Sequence, residues 1–211
     1  MKIAIIGAGN VGGVLARRWV QTGNHVFIAS RNPQAGKVQG LIEELAPNAE
    51  ALPIDQACAA ADVVLLSTPW TAAREALTQA GDLAGKVLLD ATNPLMETEG
   101  GRLALIPGES AGLQVARWLP GVEVVKIFNT VGSGVMADAR FSGARPVMLY
   151  ATDSERAGEI ARRLAEETWF DPVHAGGIEY SAHLEHFGMI WINLALAQGH
   201  GTDVAFALLR R

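Results

Sequence analysis

The sequence predicts an α/β fold built on a doubly wound, mostly parallel β-sheet. Short apolar stretches alternate with longer segments of helical periodicity along the 211 residues, a pattern typical of repeated βαβ units. The clearest unit opens the chain, where an apolar strand at Lys2 to Ile6 is followed by a glycine turn, a helix and a second strand at His25 to Ala29. The segment Asp62 to Ser67 is a continuous apolar run, as expected for a strand that is buried on both faces.

The remaining elements continue the same alternation. We expect further strands near 49–52, 86–90, 122–128, 147–150 and 172–174, and helices near 34–46, 55–61, 71–80, 110–119 and 154–167, followed by a long final helix. Thr71 and Ser110 are the expected N-caps of their helices. The Gly- and Pro-containing stretch 95–107 is predicted to be a loop.

Composition and charge restrict the class of protein. Hydrophobic residues make up 49% of the chain and charged residues 18%, so we expect a large buried core and not a disordered chain. The net charge is −5, yet the first 42 residues contain five Lys or Arg and no acid. A basic patch confined to one end favours a phosphorylated small molecule, whereas DNA needs a wider basic face. No nucleic-acid partner is expected.

Cysteine usage and hydropathy bear on the compartment. The single cysteine, Cys58, allows no internal disulfide and is typical of a reducing environment. Its alanine-rich surroundings indicate an inert core or helix residue. The first strand begins at once, so we expect no targeting segment. The longest apolar stretch, near 187–197, is too short to span a bilayer. These observations predict a cytoplasmic protein with no membrane partner.

The turn after the first strand carries the most specific motif of the chain. It reads Gly7-Ala-Gly9-Asn-Val-Gly12, and G-x-G-x-x-G between a strand and a helix is the fingerprint of a dinucleotide-binding Rossmann domain. Gly7 permits the turn, Gly9 lets the backbone approach a pyrophosphate, and Gly12 allows close packing of helix and strand. The pyrophosphate is expected at the helix N-terminus. We predict an NADP-binding Rossmann domain at 1–140 and a C-terminal extension at 141–211 that completes the sheet and covers the substrate crevice.

The end of the second strand indicates which dinucleotide binds. A NAD site places an acid there to hold the ribose 2′-hydroxyl, but this chain reads Ser30-Arg31-Asn32, with Lys37 a turn or two later. Arginine can bind a 2′-phosphate bidentately and stack on adenine, while Ser and Asn add hydrogen bonds. The predicted cofactor is therefore NADP(H).

Three loops at the carboxyl ends of later strands are expected to line the crevice. Their polar and loop residues, which can contact ribose, the nicotinamide amide or substrate, are Ser67, Thr68, Pro69, Trp70, Asn93 and Asn129. No motif identifies a catalytic acid or base. The candidates are Asn129, His183 and His186, and no metal site is predicted because the two histidines lack a third ligand.

Several segments together resemble the F420-dependent NADP oxidoreductase family, which is related to the reductase domains of the Steap metalloreductases. They are Gly7 to Gly13, Ala29 to Pro33, the Thr68-Pro-Trp70 turn, Lys126 to Thr130 and Ala175 to Glu185 with the apolar helix that follows. The resemblance spans nearly the whole chain. It implies a Rossmann domain with a small C-terminal extension, often dimeric, that passes hydride between NADPH and a deazaflavin or flavin.

The resemblance also implies roles for individual residues. It matches Ser30, Arg31 and Lys37 to the 2′-phosphate binders, Asn10 and Val11 to backbone contacts with the pyrophosphate, and Pro69 and Trp70 to the loop over the cofactor ribose. The chain departs from the family at Asn129 and Gly132, where the deazaflavin reductases have His and Pro in a His-Thr-Ile-Pro-Ala-like segment. The hydride acceptor therefore stays open among coenzyme F420, FMN and FAD.

Two other functions compete with hydride transfer to a flavin-like ring. One is NADPH-dependent reduction of a small carbonyl or imine, with His183 or His186 as proton donor. The other is an NADP-binding sensor that catalyses nothing. Lys126 is the last lysine of the chain, which argues against the long β-hydroxyacid dehydrogenases, whose catalytic lysine lies on a later helix. The apolar C-terminal helix indicates a homodimer, since excess apolar surface favours a partner. The expected substrate is a small molecule.

Overall fold

The computed structural model describes all 211 residues. Its ten strands are β1 Lys2–Ile6, β2 His25–Ala29, β3 Ala49–Leu52, β4 Val63–Leu66, β5 Val87–Asp90, β6 Leu95–Glu97, β7 Leu103–Leu105, β8 Glu123–Lys126, β9 Val147–Ala151 and β10 Asp171–Gly176. The α-helices are α1 Asn10–Gln21, α2 Gly36–Leu45, α3 Ile54–Ala60, α4 Trp70–Gln79, α5 Ala111–Trp118, α6 Ser133–Ala137, α7 Glu155–Glu167 and α8 Ser181–Ile192. A 3₁₀ turn at Ile178–Tyr180 precedes α8, and a π-helical turn at Asn193–Ala197 follows it.

Eight of the strands form one sheet in the order β10-β9-β8-β5-β4-β1-β2-β3. The six strands from β8 to β3 are parallel to one another. β9 pairs with β8 in the antiparallel sense, and β10 runs parallel to β9. The predicted doubly wound, mostly parallel α/β fold is confirmed. The chain order reverses between β1 and β4, which places a ligand crevice at the carboxyl ends of these two strands.

Alternation along the strands divides the core into two layers. In β1, Ile3 and Ile5 belong to the apolar cluster on one face of the sheet, whereas Ala4 and Ile6 belong to the cluster on the other. The first cluster contains Trp19 of α1, whose ring packs edge-on against Phe128 with the centroids 5.7 Å apart. Both faces of the central strands are therefore covered, which is why these strands are apolar at successive positions.

Three local predictions were wrong or incomplete. The predicted loop at 95–107 contains the antiparallel hairpin β6–β7, in which Leu95 pairs with Leu105; its strands are too short to show a clear alternation. Helix α6 was not predicted because it has only five residues. Helix α4 begins at Trp70, so Thr71 lies inside it and is not its cap. The cap at Ser110 is confirmed, since its hydroxyl accepts a hydrogen bond from Leu113 N.

The C-terminal part of the chain continues the central sheet. β9 and β10 add to the edge beside β8, and α8 contacts α5, β7 and β9. The domain boundary near residue 140 stays a prediction, because the strands before it and the strands after it belong to one sheet. None of the helices combines the length and hydrophobicity that crossing a bilayer requires.

Candidate functional site

The glycine turn after β1 is shaped by close backbone contacts. Gly7 has φ +98°, a conformation that L side chains rarely adopt, and a Cβ there would lie 2.8 Å from the Ser67 backbone. A Cβ at Gly12 would overlap the Gly7 carbonyl oxygen. The Ser67 hydroxyl lies 2.8 Å from Gly7 O and donates to it. Ser67 was predicted to contact the cofactor, but its hydroxyl proton is used inside the turn and holds β4 against β1.

The N-terminus of α1 is open for an anion. No side chain caps the helix, and its first turn contains no acid. A Cβ at Gly9 would meet nothing within 4 Å, so the backbone can be approached closely there. Asn10 and Val11 provide the next N–H groups of this turn. Free helical N–H groups and the helix dipole together favour a phosphate at this position.

One cleft joins the glycine turn to the basic residues after β2. It is lined by Gly7, Gly9, Ser30, Arg31, Lys37 and Thr68, among others. Arg31 and Lys37 are exposed and can reach a charged group in the cleft. Asn32 has a different role, since its Oδ1 accepts from Gln34 N and its own N–H donates to Ser30 Oγ. Asn32 therefore shapes the loop that presents Ser30 and Arg31.

An acidic residue in this cleft was missed at the sequence level. Glu75 and Gln79 of α4 form the wall opposite Arg31. Glu75 Oε1 lies 4.0 Å from Arg31 Nη1 and accepts a hydrogen bond of 3.0 Å from Gln79 Nε2. The cleft is therefore less purely basic than the first 42 residues indicate. Only the position of Glu75, early in the helix after a crevice loop, hinted at this contact.

At the other end of the crevice, two asparagines pair with each other. Asn93 Nδ2 donates to the Asn129 carbonyl oxygen at 2.8 Å, and Asn129 Nδ2 donates to Asn93 Oδ1 at 3.0 Å. This pair connects the loops that leave β5 and β8. The two loops, which were predicted to line the same crevice, thus meet at these asparagines.

Two buried oxygen atoms at the crevice have no hydrogen-bond partner, Asn129 Oδ1 and Thr68 Oγ1. Buried polar atoms are nearly always paired, so these two point to a ligand that provides donors. The nicotinamide carboxamide and the ribose hydroxyls of a dinucleotide are such donors. Together with the open N-terminus of α1, the residues present fit NADP.

The backbone conformation of the preceding residue, Phe128, sets the position of Asn129. Phe128 has φ +61° although it is not glycine, and its ring is buried against Trp19. A non-glycine residue in this region is strained, and such strain is often found at ligand sites. The buried ring holds Phe128 in this conformation, which turns the chain from β8 toward the crevice.

The ring of Trp70 does not cover the cofactor cleft. It stacks on Trp118 of α5 with the centroids 5.3 Å apart, and the Arg74 guanidinium lies 5.4 Å from the Trp118 ring centroid. Trp70 thus packs α4 against α5, and its indole does not line the cleft, so a contact of Trp70 with the ribose stays a prediction. The exposed Pro69 is the part of this turn that stays accessible.

Helix α8 lies against the asparagine pair through a glycine. A Cβ at Gly188 would be 2.7 Å from the Asn129 carbonyl oxygen and 3.3 Å from Asn93 Nδ2. His183 and His186 are on the exposed side of α8. The ring of His183 packs beside Tyr180, and His186 Nδ1 lies 2.7 Å from the Ala182 carbonyl oxygen. The structure therefore does not bring either histidine to Asn129.

A charged cluster is buried below the asparagine pair. Lys126, the last residue of β8, is completely buried, with its Nζ 2.9 Å from Asp90 Oδ2 and 3.2 Å from Glu185 Oε1. The same ammonium donates to the Thr92 carbonyl oxygen at 2.6 Å. Glu185 also accepts from Gly112 N, at the start of α5. The cluster joins β5, β8, α5 and α8. It was not predicted, because the sequence does not indicate which distant acids lie beside a lysine in an apolar strand.

The segment that differs from the deazaflavin reductases packs against α8. A Cβ at Gly132 would overlap the Trp191 ring, and Trp191 is buried, with its Nε1 donating to the Val204 carbonyl oxygen. Proline at position 132 would carry such a Cβ. Gly132 and Trp191 are therefore compatible with each other, and this accounts for the absence of proline here.

Comparison with known proteins identifies the relatives of this chain. Residues 2–94 match the family described as NADP oxidoreductase, coenzyme F420-dependent. A crystal structure from Arthrobacter sp. FB24, provisionally assigned as an F420-dependent NADP reductase, is 30% identical, covers 100% of both chains and superposes with a TM-score of 0.90. The hypothetical protein SMa0349 of Sinorhizobium meliloti is 26% identical over 100% of this chain and 96% of its own, with a TM-score of 0.75.

A curated relative and a more distant structure complete the comparison. Metalloreductase STEAP3 of Rattus norvegicus is 28% identical over 184 residues, which are 87% of this chain but only 36% of the length of STEAP3. The imine reductase of Streptomyces aurantiacus is 18% identical over 94% of this chain and 64% of its own, with a TM-score of 0.67. At that identity, the second comparison shows a common fold alone.

Proposed function

The chain belongs to the coenzyme F420-dependent NADP oxidoreductase family, and on that premise we propose that it transfers a hydride between NADP(H) and a flavin-like or deazaflavin-like ring. The observation that carries the cofactor part of the proposal is the pair of buried, unpartnered oxygens of Thr68 and Asn129 at the carboxyl ends of β4 and β8. They lie along the same crevice edge as the glycine turn, where a dinucleotide is expected in this topology. The acceptor part is supported by the family description.

The cofactor site divides into parts with separate tasks. The N–H groups that begin α1 bind the pyrophosphate, while Ser30, Arg31 and Lys37 bind the 2′-phosphate. Thr68 accepts from a ribose hydroxyl, and Asn129 Oδ1 accepts from the carboxamide. Asn93 holds Asn129 through two hydrogen bonds, one to its backbone carbonyl oxygen and one from its side-chain Nδ2. The second bond fixes the orientation of the unpartnered Oδ1.

Bound NADP(H) supplies the hydride chemistry itself. The protein has to hold two rings face to face and exclude water, and it needs no side chain that acts as acid or base. The acceptor ring is proposed to lie against the segment from Asn129 to Gly134, under α8. Gly188 allows α8 to approach this segment closely.

Oxidation of NADPH in the presence of separate acceptors tests the proposal. The acceptors are F420, FMN, FAD, a ferric chelate, a ketone panel and a cyclic imine, and the readout is the near-ultraviolet absorbance of reduced nicotinamide. We expect turnover with F420 or a flavin. Turnover with only the ketones or the imine would favour carbonyl or imine reduction instead. Tight NADPH binding without turnover on any acceptor would leave a sensor and overturn the proposed activity.

We also propose that the protein is a homodimer with a small-molecule substrate. Large apolar side chains are exposed on the hairpin β6–β7 and along the last helical turns, at Met96, Leu103, Ile190 and Leu196. A patch of this kind is a common subunit interface. Light scattering coupled to size-exclusion chromatography should give twice the chain mass for the wild type, and the mass of one chain for Leu196→Glu. A monomeric wild type would contradict the proposal.

A further inference from the structure

The 2′-phosphate end of the cleft contains an acid as well as its basic residues. Glu75 Oε1 lies 4.0 Å from Arg31 Nη1, and this is the only ion pair that Arg31 makes. Lys37, on the same wall as Arg31, makes none. An acid is therefore present in this adenosine pocket, although it comes from α4 and not from the end of β2.

The Glu75 carboxylate is hydrogen-bonded by a second residue of the cleft wall. Gln79, one helical turn later, donates to Glu75 Oε1 at 3.0 Å. Ala72 and Ala76, from the same helix, line the cleft beside it. The oxygen that accepts from Gln79, Glu75 Oε1, is also the one that lies 4.0 Å from Arg31 Nη1.

A carboxylate at this place acts differently on the two cofactors. It repels a phosphate dianion and competes with it for the Arg31 guanidinium. It can accept a hydrogen bond from a ribose hydroxyl, which is the task of the acid in a NAD site. Both side chains are largely exposed, 77% for Arg31 and 66% for Glu75, so each effect is moderate.

We propose that Glu75 is a specificity-determining residue, which lowers the preference of the site for NADP(H) over NAD(H). It weakens binding of the 2′-phosphate and supports binding of a cofactor that has a 2′-hydroxyl. The inference rests on the proposed binding of NADP(H) in this cleft. NADP(H) remains the preferred cofactor, because Ser30, Arg31 and Lys37 outnumber the single acid.

Dissociation constants of NADPH and NADH, measured by calorimetry at low salt, test this role in Glu75→Gln. Glutamine keeps the size of the side chain and removes the charge. We expect NADPH to bind about two- to fivefold more tightly, which corresponds to an exposed charge interaction, and NADH to bind no better. The gain for NADPH should shrink at high salt because the charges are screened. The control is Glu43→Gln, an exposed acid of α2 outside the cleft.

The outcomes separate this inference from the proposed cofactor site. An unchanged ratio of the NADPH and NADH constants in Glu75→Gln would overturn the role of Glu75. Equal weakening of both cofactors would also overturn it, since Glu75 would then contact the adenosine that they have in common. Arg31→Ala examines the site itself: equal losses for both cofactors in that variant would reject the NADP assignment, whatever Glu75→Gln shows.

Discussion

At Asn129, one side chain makes a hydrogen bond within the protein through its nitrogen and keeps its oxygen without a partner. Its Nδ2 donates to Asn93 Oδ1 at 3.0 Å, while its Oδ1 is buried without a partner. The strained backbone of Phe128 sets the direction of the loop. A buried acceptor that stays unpaired is costly, so a ligand that donates to it gains affinity.

Replacing Asn129 with Ala should therefore weaken NADPH binding. We expect a loss of about three- to tenfold, the equivalent of one hydrogen bond to a ligand. The dissociation constant of NADPH is the measurement, and Asn48→Ala, an exposed asparagine between α2 and β3, is the control. Unchanged NADPH binding in Asn129→Ala would remove this residue from the cofactor site.

Motif residues could be predicted at this scale, and long-range pairs could not. The glycines and the Ser30-Arg31 pair belong to a short continuous pattern whose physical reason is local. Glu75 reaches Arg31 from a separate helix, and no periodicity in the sequence announces that contact. Ser67 was expected to contact the ligand, but its hydroxyl donates a hydrogen bond to the Gly7 carbonyl oxygen.

At the level of elements, α8 is fixed over the crevice by buried charges. Lys126 of β8 contacts Asp90 of β5 and Glu185 of α8. Gly188, in the next turn of α8, then packs against the asparagine pair. The final helix was predicted from its hydrophobicity. Its anchor was not, because Glu185 and Lys126 are distant in sequence.

Replacing Lys126 with Met should destabilise the fold strongly, since two buried carboxylates lose their counter-charge. Breaking a buried ion pair costs about 3–5 kcal/mol, which urea unfolding can measure. The matched variant Glu185→Gln leaves Lys126 paired with Asp90 and keeps an acceptor for Gly112 N, so its loss should be clearly smaller. Equal losses in the two variants would show that charge balance does not hold this cluster together.

In the molecule as a whole, one continuous sheet explains both the crevice and the protected core. The alternation of strands and helices was sufficient to predict this architecture. The hairpin β6–β7 and the short helix α6 were not predicted, because each element is too short to show a periodic pattern of hydrophobic residues. The single cysteine, Cys58, belongs to α3 and is buried in the apolar cluster on one face of the central sheet.

Burial of Cys58 should make its thiol inert in the folded protein. Removal from water raises the pKa of the Cys58 thiol to about 11, and only the thiolate reacts with disulfide reagents. At pH 8, which is below this pKa, the thiol stays protonated. We expect no reaction with Ellman's reagent until urea unfolds the chain. Rapid labelling of the native protein would contradict the burial of Cys58 in the core.

The central claim is that the basic residues after β2 select NADP(H), and its most direct measurement compares the dissociation constants of NADPH and NADH in the wild type and in Arg31→Ala. A hydrogen bond to a charged group contributes about 1.5–3 kcal/mol, so we expect the wild type to bind NADPH about tenfold or more tightly than NADH. Arg31→Ala should lose most of this preference while NADH binding changes little. Equal affinities of the wild type for the two cofactors would contradict the account.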